Sequence, residues 1–455
     1  MSASLVLWLS LFAVLALLAF RRPAWGVALY MLTFFACPPF WWWGNSIETL
    51  RWNFYGGLIL LGAVLLSSLI RPNTAPLTKG GKWVVGLSLV MLVNATLVHL
   101  LLANSLRISS IGYLLMAKFM LLFLLMVASI RSRADLRIMI LSIVVGAGYI
   151  GYEATINGRG KLNGNRLEGI GAPNAAGANQ LASLIVTVLP LTGALLLAGT
   201  RLDRIVAVAA APLILNVALL CNSRGAFLAA IASGVALLSL SPSKVRKQAI
   251  KVLALGVVAV WLMLGDSRIV DRFMTSFVDA EERDSSATSR LLYWRAGMNM
   301  IQDHPFGTGG HGFKRVYGPR YIAELGPQFE IRSVHNGFIN ETCEWGIQGL
   351  AIRLAFVAVT AALLYSTCRH AIRTGRNDVA LTCATLIAAL VAFLGSCIFG
   401  DRLDAEWGFW ISALAVGFAR VAAAEDAETA DDAHSLLEDA EHDDFRISDD
   451  MRCVA

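Results

Sequence analysis

The sequence predicts an all-α polytopic membrane protein of about 12–13 transmembrane helices, with one large, partly helical loop on the non-cytoplasmic side. Three observations carry this. Hydrophobic residues fill 56% of the 455 positions and charged residues only 15%, against about a quarter charged in a soluble domain. Mean hydropathy is +0.62. The apolar residues also come in long uninterrupted blocks, which suit a bilayer better than a single soluble core.

Taken in chain order, apolar blocks of bilayer length fall near 4–20, 24–40, 54–70, 83–103, 109–130, 136–155, 178–198, 204–221, 225–240, 249–265, 341–365, 378–398 and 406–423. The first has no basic segment before it and no small-residue cleavage site, so it reads as a retained span. Every second connector is basic: Arg21 and Arg22; Arg71 to Lys82; Arg131, Arg133 and Arg137; Arg201 and Arg204; Lys244, Arg246, Lys247 and Lys251; Arg369, Arg373 and Arg376. The positive-inside rule assigns that set to the cytoplasm and the complementary set (41–53, 156–177, 266–336 and 399–405) to the periplasm.

The net charge of +6 joins two opposed regions. From Glu425 to Asp450 the tail holds twelve acidic residues against Arg446 and Arg452. The remaining body then carries 36 Lys/Arg against 20 Asp/Glu, a net +16. Topology accounts for that excess, so nucleic-acid binding is not implied. The sequence thus divides into a transmembrane domain, 1–424, and an acidic, disordered cytoplasmic tail, 425–455. The seven cysteines are scattered without a C-x-x-C pair or a His/Cys cluster, which argues against a structural metal or a disulfide framework.

Two outer features stand out. Trp41, Trp42, Trp43 and Trp52 read as an interfacial aromatic belt. The stretch 266–336 is the one long non-membrane segment inside the body, and such loops commonly carry function. Within it Ser286 or Thr288 can cap a helix running to Ile301, stopped by Asp303-His304-Pro305 and a glycine-rich turn. Arg290, Tyr293, Trp294, Gly297 and Met298 share one stripe of that helix, which should lie on the membrane surface.

Histidine is the usual proton carrier at neutral pH. Of the seven, His335 occurs where the loop re-enters the membrane, ahead of Asn340-Glu341; a catalytic and a helix-entry role are both open by spacing alone. Arg224 stands at the outer mouth of a span where the topology rule expects little positive charge. Arg290 lies beside Trp294 on the surface helix. Guanidinium forks match neighbouring phosphate oxygens, so two arginines converging at a membrane surface would suit a lipid diphosphate, with snorkelling to headgroups as the plainer alternative. Arg166 and Arg332 also face outward. Lys118 and Arg353 fall inside spans, where charge is costly and usually functional.

Five short motifs follow one another in a recognisable order: Asn222-Ser223-Arg224-Gly225-Ala226; Asp284 to Trp294; His304-Pro305-Phe306-Gly307-Thr308-Gly309; His335-Asn336-Gly337-Phe338; and Glu344-Trp345-Gly346-Ile347-Gln348-Gly349. In that order, over roughly residues 160–365, the chain resembles the O-antigen ligase and polymerase superfamily, including its exosortase-associated members. Gly171-Ala172-Pro173-Asn174 resembles that family's Pro-Asn element. The resemblance implies a bacterial inner-membrane glycosyltransferase working on the periplasmic face without metal or cofactor. Its donor would be an undecaprenyl-diphosphate-linked glycan and its acceptor lipid A–core, another glycan or a protein. It further implies that Arg224 and Arg290 hold the diphosphate and that His335 activates the acceptor hydroxyl. Arg166, Asn174, Trp294, Arg332, Asn336 and Glu341 are secondary candidates. The acidic tail and the tryptophan run are not part of the family pattern.

Two other readings compete. A polymerase joining repeat units would share the ligase's donor and differ only in acceptor. A lipid or polysaccharide transporter would be built on internal repeats and broken helices at the midplane; the sequence offers no repeat, and only Lys118 and Arg353 in its favour. A metal-dependent lipid-linked transferase would need carboxylates in the first outer loop, where 41–53 holds Glu48 alone.

Overall fold

The computed structural model describes residues 2–70, 75–163, 166–175, 177–264, 280–326 and 330–452. The start of the large outer loop, 265–279, and Arg71 of the second basic connector lie outside the described residues. The expected architecture is present: among the described residues, helices throughout and one short two-stranded hairpin. The helices are α1 (Ala3–Arg21), α2 (Pro23–Phe35), α3 (Trp52–Ile70), α4 (Lys79–Leu101), α5 (Leu106–Ser129), α6 (Arg133–Thr155), α7 (Ala178–Ala198), α8 (Arg201–Leu220), α9 (Arg224–Leu240) and α10 (Ser243–Leu264). They continue as α11 (Ala280–Asp303), α12 (Gly318–Ala323), α13 (Gly337–Arg373), α14 (Asn377–Ile398) and α15 (Glu406–Arg452).

Among the described residues, eleven helices are long and apolar enough to cross a membrane. Adding the shorter apolar α9 and the 22-residue α10 gives the alternation that the connector charges predict. The basic connectors then share one face, and the hairpin, α11 and the 399–405 turn lie on the other, the site face. On the basic face Arg137 Nε bonds Asp203 Oδ2 at 2.7 Å, tying α6 to α8. Arg133 Nε bonds Glu425 Oε1 at 2.7 Å and also meets Asp378, while Arg376 meets Glu425 and Asp426.

The interior is built around α15, whose Trp407, Phe409, Trp410 and Phe418 are all fully buried. It packs on α5, α13 and α14, and a helix apolar on all sides belongs in such a position. Small residues bring α9 and α14 together: a Cβ on Gly395 would lie 3.0 Å from Ala229 Cβ, and the Ser233 hydroxyl donates to the Ala388 carbonyl at 2.8 Å. Membrane helices commonly associate through such contacts.

Several expectations change. Trp41 and Trp43 are buried rather than interfacial; their indole N–H groups donate to the Phe35 carbonyl at 3.1 Å and the Tyr149 hydroxyl at 2.8 Å. Trp42 alone of the three is exposed. The surface helix already includes Ala280, ahead of Ser286 and Thr288, as the helix-favouring Ala280, Glu281 and Glu282 allow. Met298 faces outward from that helix, off the buried stripe of Tyr293, Ala296 and Met300. Lys118 lies exposed midway along α5, so it is not an interior group. The span of α15 runs on into the acidic segment, where Arg133 and Arg376 meet Glu425 and Arg376 meets Asp426.

One span is broken. Within α13, Gly346 takes φ 82° and ψ 172°, a conformation essentially confined to glycine. The turn after α11 fills the gap. Thr308 N–H bonds the Cys343 carbonyl at 3.1 Å, Gly309 N–H the Glu344 carbonyl at 2.9 Å, and Ile347 N–H the Pro305 carbonyl at 2.9 Å. A Cβ on Gly346 would lie 2.4 Å from the Gln348 side chain and 2.5 Å from the Phe306 backbone. Gly346→Ala should therefore destabilise the protein by about 1–3 kcal/mol through its backbone conformation alone. Thermal unfolding in detergent reads this, with Gly193→Ala, where an added Cβ meets nothing within 4 Å, as the neutral control.

Candidate active site

On the site face, the hairpin of β1 (Lys161–Asn163) and β2 (Arg166–Glu168) pairs Asn163 with Arg166 and buries Leu167. Arg166 then points toward the α8–α9 turn. Its Nε donates to the Cys221 carbonyl at 3.3 Å, and its other arm meets Asn179 Oδ1 in the first turn of α7. The Ser223 hydroxyl donates to the same Asn179 oxygen at 3.1 Å. The α8–α9 turn is tight because Asn222 accepts a left-handed φ of 45°, which asparagine tolerates better than most residues. It leaves Ser223 at the N-cap and Arg224 as the first residue of α9, with its side chain exposed.

Arg290 comes from α11. That helix lies against the start of α13: a Cβ on Gly297 would sit 2.6 Å from Ile339 Cγ2, and Cys343 Sγ donates to the Gly297 carbonyl at 3.5 Å. Tyr293 OH donates to the Glu330 carbonyl at 2.8 Å. Arg290 is half-buried, and burial first, then the positive charges of Arg166 and Arg224, push its pKa below the ordinary arginine value. Three guanidiniums from three separate elements therefore share one electrostatic neighbourhood. An arginine remains charged at neutral pH even so.

His335 stands near Arg290. Its backbone is left-handed, φ 58°, and its ring meets Tyr293 edge-on with centroids 6.2 Å apart. Asn336 follows as the N-cap of α13, its Oδ1 accepting from Phe338 and Ile339 N–H at 3.0 and 3.1 Å. The 399–405 turn passes between the starts of α9 and α13. A Cβ on Gly225 would lie 2.6 Å from Phe399 Cβ, and one on Gly337 2.9 Å from Leu403 N. This turn brings Asp401 to His335. Burial pushes the His335 pKa below its ordinary value, the Asp401 carboxylate opposes that, and Arg290, Arg332 and Lys314 reinforce it.

A lowered pKa leaves the imidazole neutral, and so able to accept a proton, at neutral pH. Activity should fall on acidification with an apparent pKa below about 6.5, the ordinary histidine value. Asp401→Asn removes a charge that favours the imidazolium, so it should move this acid limb further down. A pH profile of kcat/KM for both proteins checks this, and an upward move in the variant would remove Asp401 from contact with the base.

Arg290 thus shares an electrostatic neighbourhood with Arg166 and Arg224 on one side and with His335 on the other, and Asn336 follows His335 in the chain. Arg332 is also near His335, but its guanidinium holds Glu330 at 2.6 Å. Trp294 is half-buried within the α11 cluster. Asn174 forms the corner of a turn, with φ 62° and Ala175 N–H bonding the Ala172 carbonyl at 2.9 Å, where an asparagine suits the backbone. Glu341 lies deeper, paired with Arg353. Sequence reasoning missed Asn179 and Asp401. The second had a signal, since the short outer turn 399–405 holds Asp401, Arg402 and Asp404.

Residues 209–354 match the O-antigen ligase family. The matched segment runs from within α8 to just past the break in α13, and so contains Arg224, Arg290, His335, Asn336, Glu341 and Arg353. Arg166 and Asp401 reach its site from outside the matched segment. No curated protein matches the chain. Among the described residues, no group of three or more His, Cys, Asp or Glu side chains is arranged to hold a metal ion.

Proposed function

We propose that the chain is a glycan ligase of the bacterial inner membrane, acting on the periplasmic face with an undecaprenyl-diphosphate-linked donor. The observation that carries this is Arg290 lying within electrostatic reach of Arg166 and Arg224 and also of His335. Mutually repelling guanidiniums in a partly dehydrated site are stabilised by an anion of high charge density, and their forks match the oxygens of a diphosphate. The first turn of α9, whose N-cap Ser223 makes no side-chain capping bond, adds backbone N–H groups and a favourable helix dipole.

In the reaction, the acceptor oxygen attacks the anomeric carbon from the face opposite the diphosphate. The bond from that carbon to the diphosphate oxygen breaks, and its electron pair leaves with undecaprenyl diphosphate. The hydroxyl proton passes to His335, with Asp401 favouring the resulting imidazolium. Attack opposite the leaving group inverts the anomeric configuration. The arginines supply positive charge where the leaving anion develops, an interaction stronger outside bulk water.

The break in α13 is the observation that favours a transporter, since such proteins use discontinuous helices at their ion sites. There, the released backbone groups face the substrate. Here, the 305–309 turn takes them up, which supports a fixed scaffold over an open ion site.

The test uses purified protein in detergent with EDTA and an undecaprenyl-diphosphate oligosaccharide. One tube contains lipid A–core as acceptor, and the other contains donor alone. A single modified lipid A–core product supports the ligase. A ladder of longer lipid-linked glycans from donor alone would make the protein a polymerase. Transfer that survives His335→Ala undiminished would overturn the mechanism.

A further inference from the structure

The break at Gly346 leaves residues 337–345 as a short rod, separate from the rest of α13. Its lower end is clasped by the 305–309 turn and by Asn94, whose side-chain N–H donates to the Trp345 carbonyl at 3.0 Å. Its upper end carries Asn336 and, one residue before, His335. Among the described residues, one ion pair joins the rod to the lower half of the same helix: Arg353 Nε donates to Glu341 Oε1 at 3.0 Å, with both side chains 3% exposed. In an unbroken helix, residues twelve apart are separated by about 18 Å along the axis, more than these side chains can bridge. The contact exists because the helix is broken.

Such a pair is a poor stabiliser. Burying two charges costs about as much as their attraction returns, and apolar replacements of similar volume often hold as well; inside a membrane the cost is no smaller. Among the described residues, the Arg353 Nη2 also has no hydrogen-bond partner. What the pair supplies, and an apolar contact does not, is direction. Its Cζ sits 4.9 Å over the Phe409 ring of α15, so the arginine is anchored to the central helix and the carboxylate to the rod.

We infer that Glu341 and Arg353 are positioning residues, which fix the tilt of the 337–345 rod and through it the place of His335. The inference rests on the proposed role of His335 as base. The rod is about 13 Å long, so a rotation of about 5° at the break moves its far end about 1 Å. A misplacement of that size can lower a rate about a hundredfold.

The test is the double variant Glu341→Leu/Arg353→Met, which removes both charges together. The expected result is a thermal midpoint close to wild type, a donor KM within about twofold, and a kcat lower by about 10- to 100-fold. A purely structural pair would lower stability and leave kcat per folded molecule unchanged, and that result overturns the proposal. The hinge is also read without turnover, from the distance between spin labels at Phe338 and Ala358 on the two halves. A narrow distribution in the otherwise wild-type chain should broaden or shift in the double variant, and an unchanged one overturns the proposal. If the double variant does not fold, Glu341→Gln is measured the same way, with the same two decisions. Wild type and His335→Ala run alongside: an inactive wild type counts against the ligase reading, while the label distances still judge the hinge.

Discussion

Replacing His335 with alanine should lower glycan transfer by about 10²–10⁴-fold, the usual contribution of a positioned general base, while the protein stays folded. The ring is only half-buried and meets Tyr293 edge-on, so little packing is lost. The backbone is the larger risk: φ is 58°, and alanine tolerates that region less well than histidine or asparagine. His335→Asn therefore serves as the companion variant, keeping a residue at ease in the left-handed conformation while removing the base. Both should lose activity to a similar degree, with melting temperatures near wild type. If His335→Asn retained activity within a few fold, the residue would be a helix-entry device, and the acceptor proton would go elsewhere.

The alternative readings of this residue show what sequence could and could not reach. Spacing put His335 at a membrane mouth, yet a histidine ahead of a helix is as readily structural as catalytic. What separates the roles is its neighbourhood. Arg290 arrives from about 45 residues earlier in the chain, and Asp401 from a turn after two further spans. No local pattern reports such distant approaches. Arg224 was easier, because a positive charge on the side of the membrane that should be poor in it asks for a reason, and Arg290 was marked by its place beside Trp294 on the loop helix. Arg166 ranked behind them only because the hairpin that aims it is three residues per strand, too short for an alternating pattern to register.

The spans were legible for a similar reason. Hydrophobicity over bilayer length is a one-dimensional signal, and the alternating basic connectors are another. Burial within the bundle is not: Trp41 and Trp43 have the composition of an interfacial belt and the location of a core, and Lys118 has the position of an interior charge yet faces outward. Which side of an apolar helix meets lipid and which meets protein depends on neighbouring helices. In the bilayer both surroundings are apolar, so sequence marks them weakly. Gly346 is the opposite case. A glycine in an otherwise apolar span looks ordinary, but it decides the geometry of the site because its φ of 82° ends one helix and begins another.

Arg290→Lys should give the second largest loss, about 10²-fold in kcat/KM for the donor, and Arg224→Lys a smaller one, about 10-fold; a hydrogen bond to a charged group contributes about 1.5–3 kcal/mol. The ranking follows from surroundings. Arg290 is half-buried between α11 and its cationic neighbours, and a guanidinium is weakly hydrated and suits such a place. A lysine there must shed a tightly held water shell and can offer only a point charge where a fork stood. Arg224 is exposed at the start of α9, where water and the first-turn N–H groups can make good part of the loss. Acceptor KM should be unchanged in both, since the clamp holds the donor. Donor binding should also weaken as salt rises, and less steeply once a charge is removed by Arg290→Ala. Full activity in Arg290→Lys would take that residue out of the clamp and leave Arg166 and Arg224, whose elements are already joined through Asn179, as the pair that holds the diphosphate.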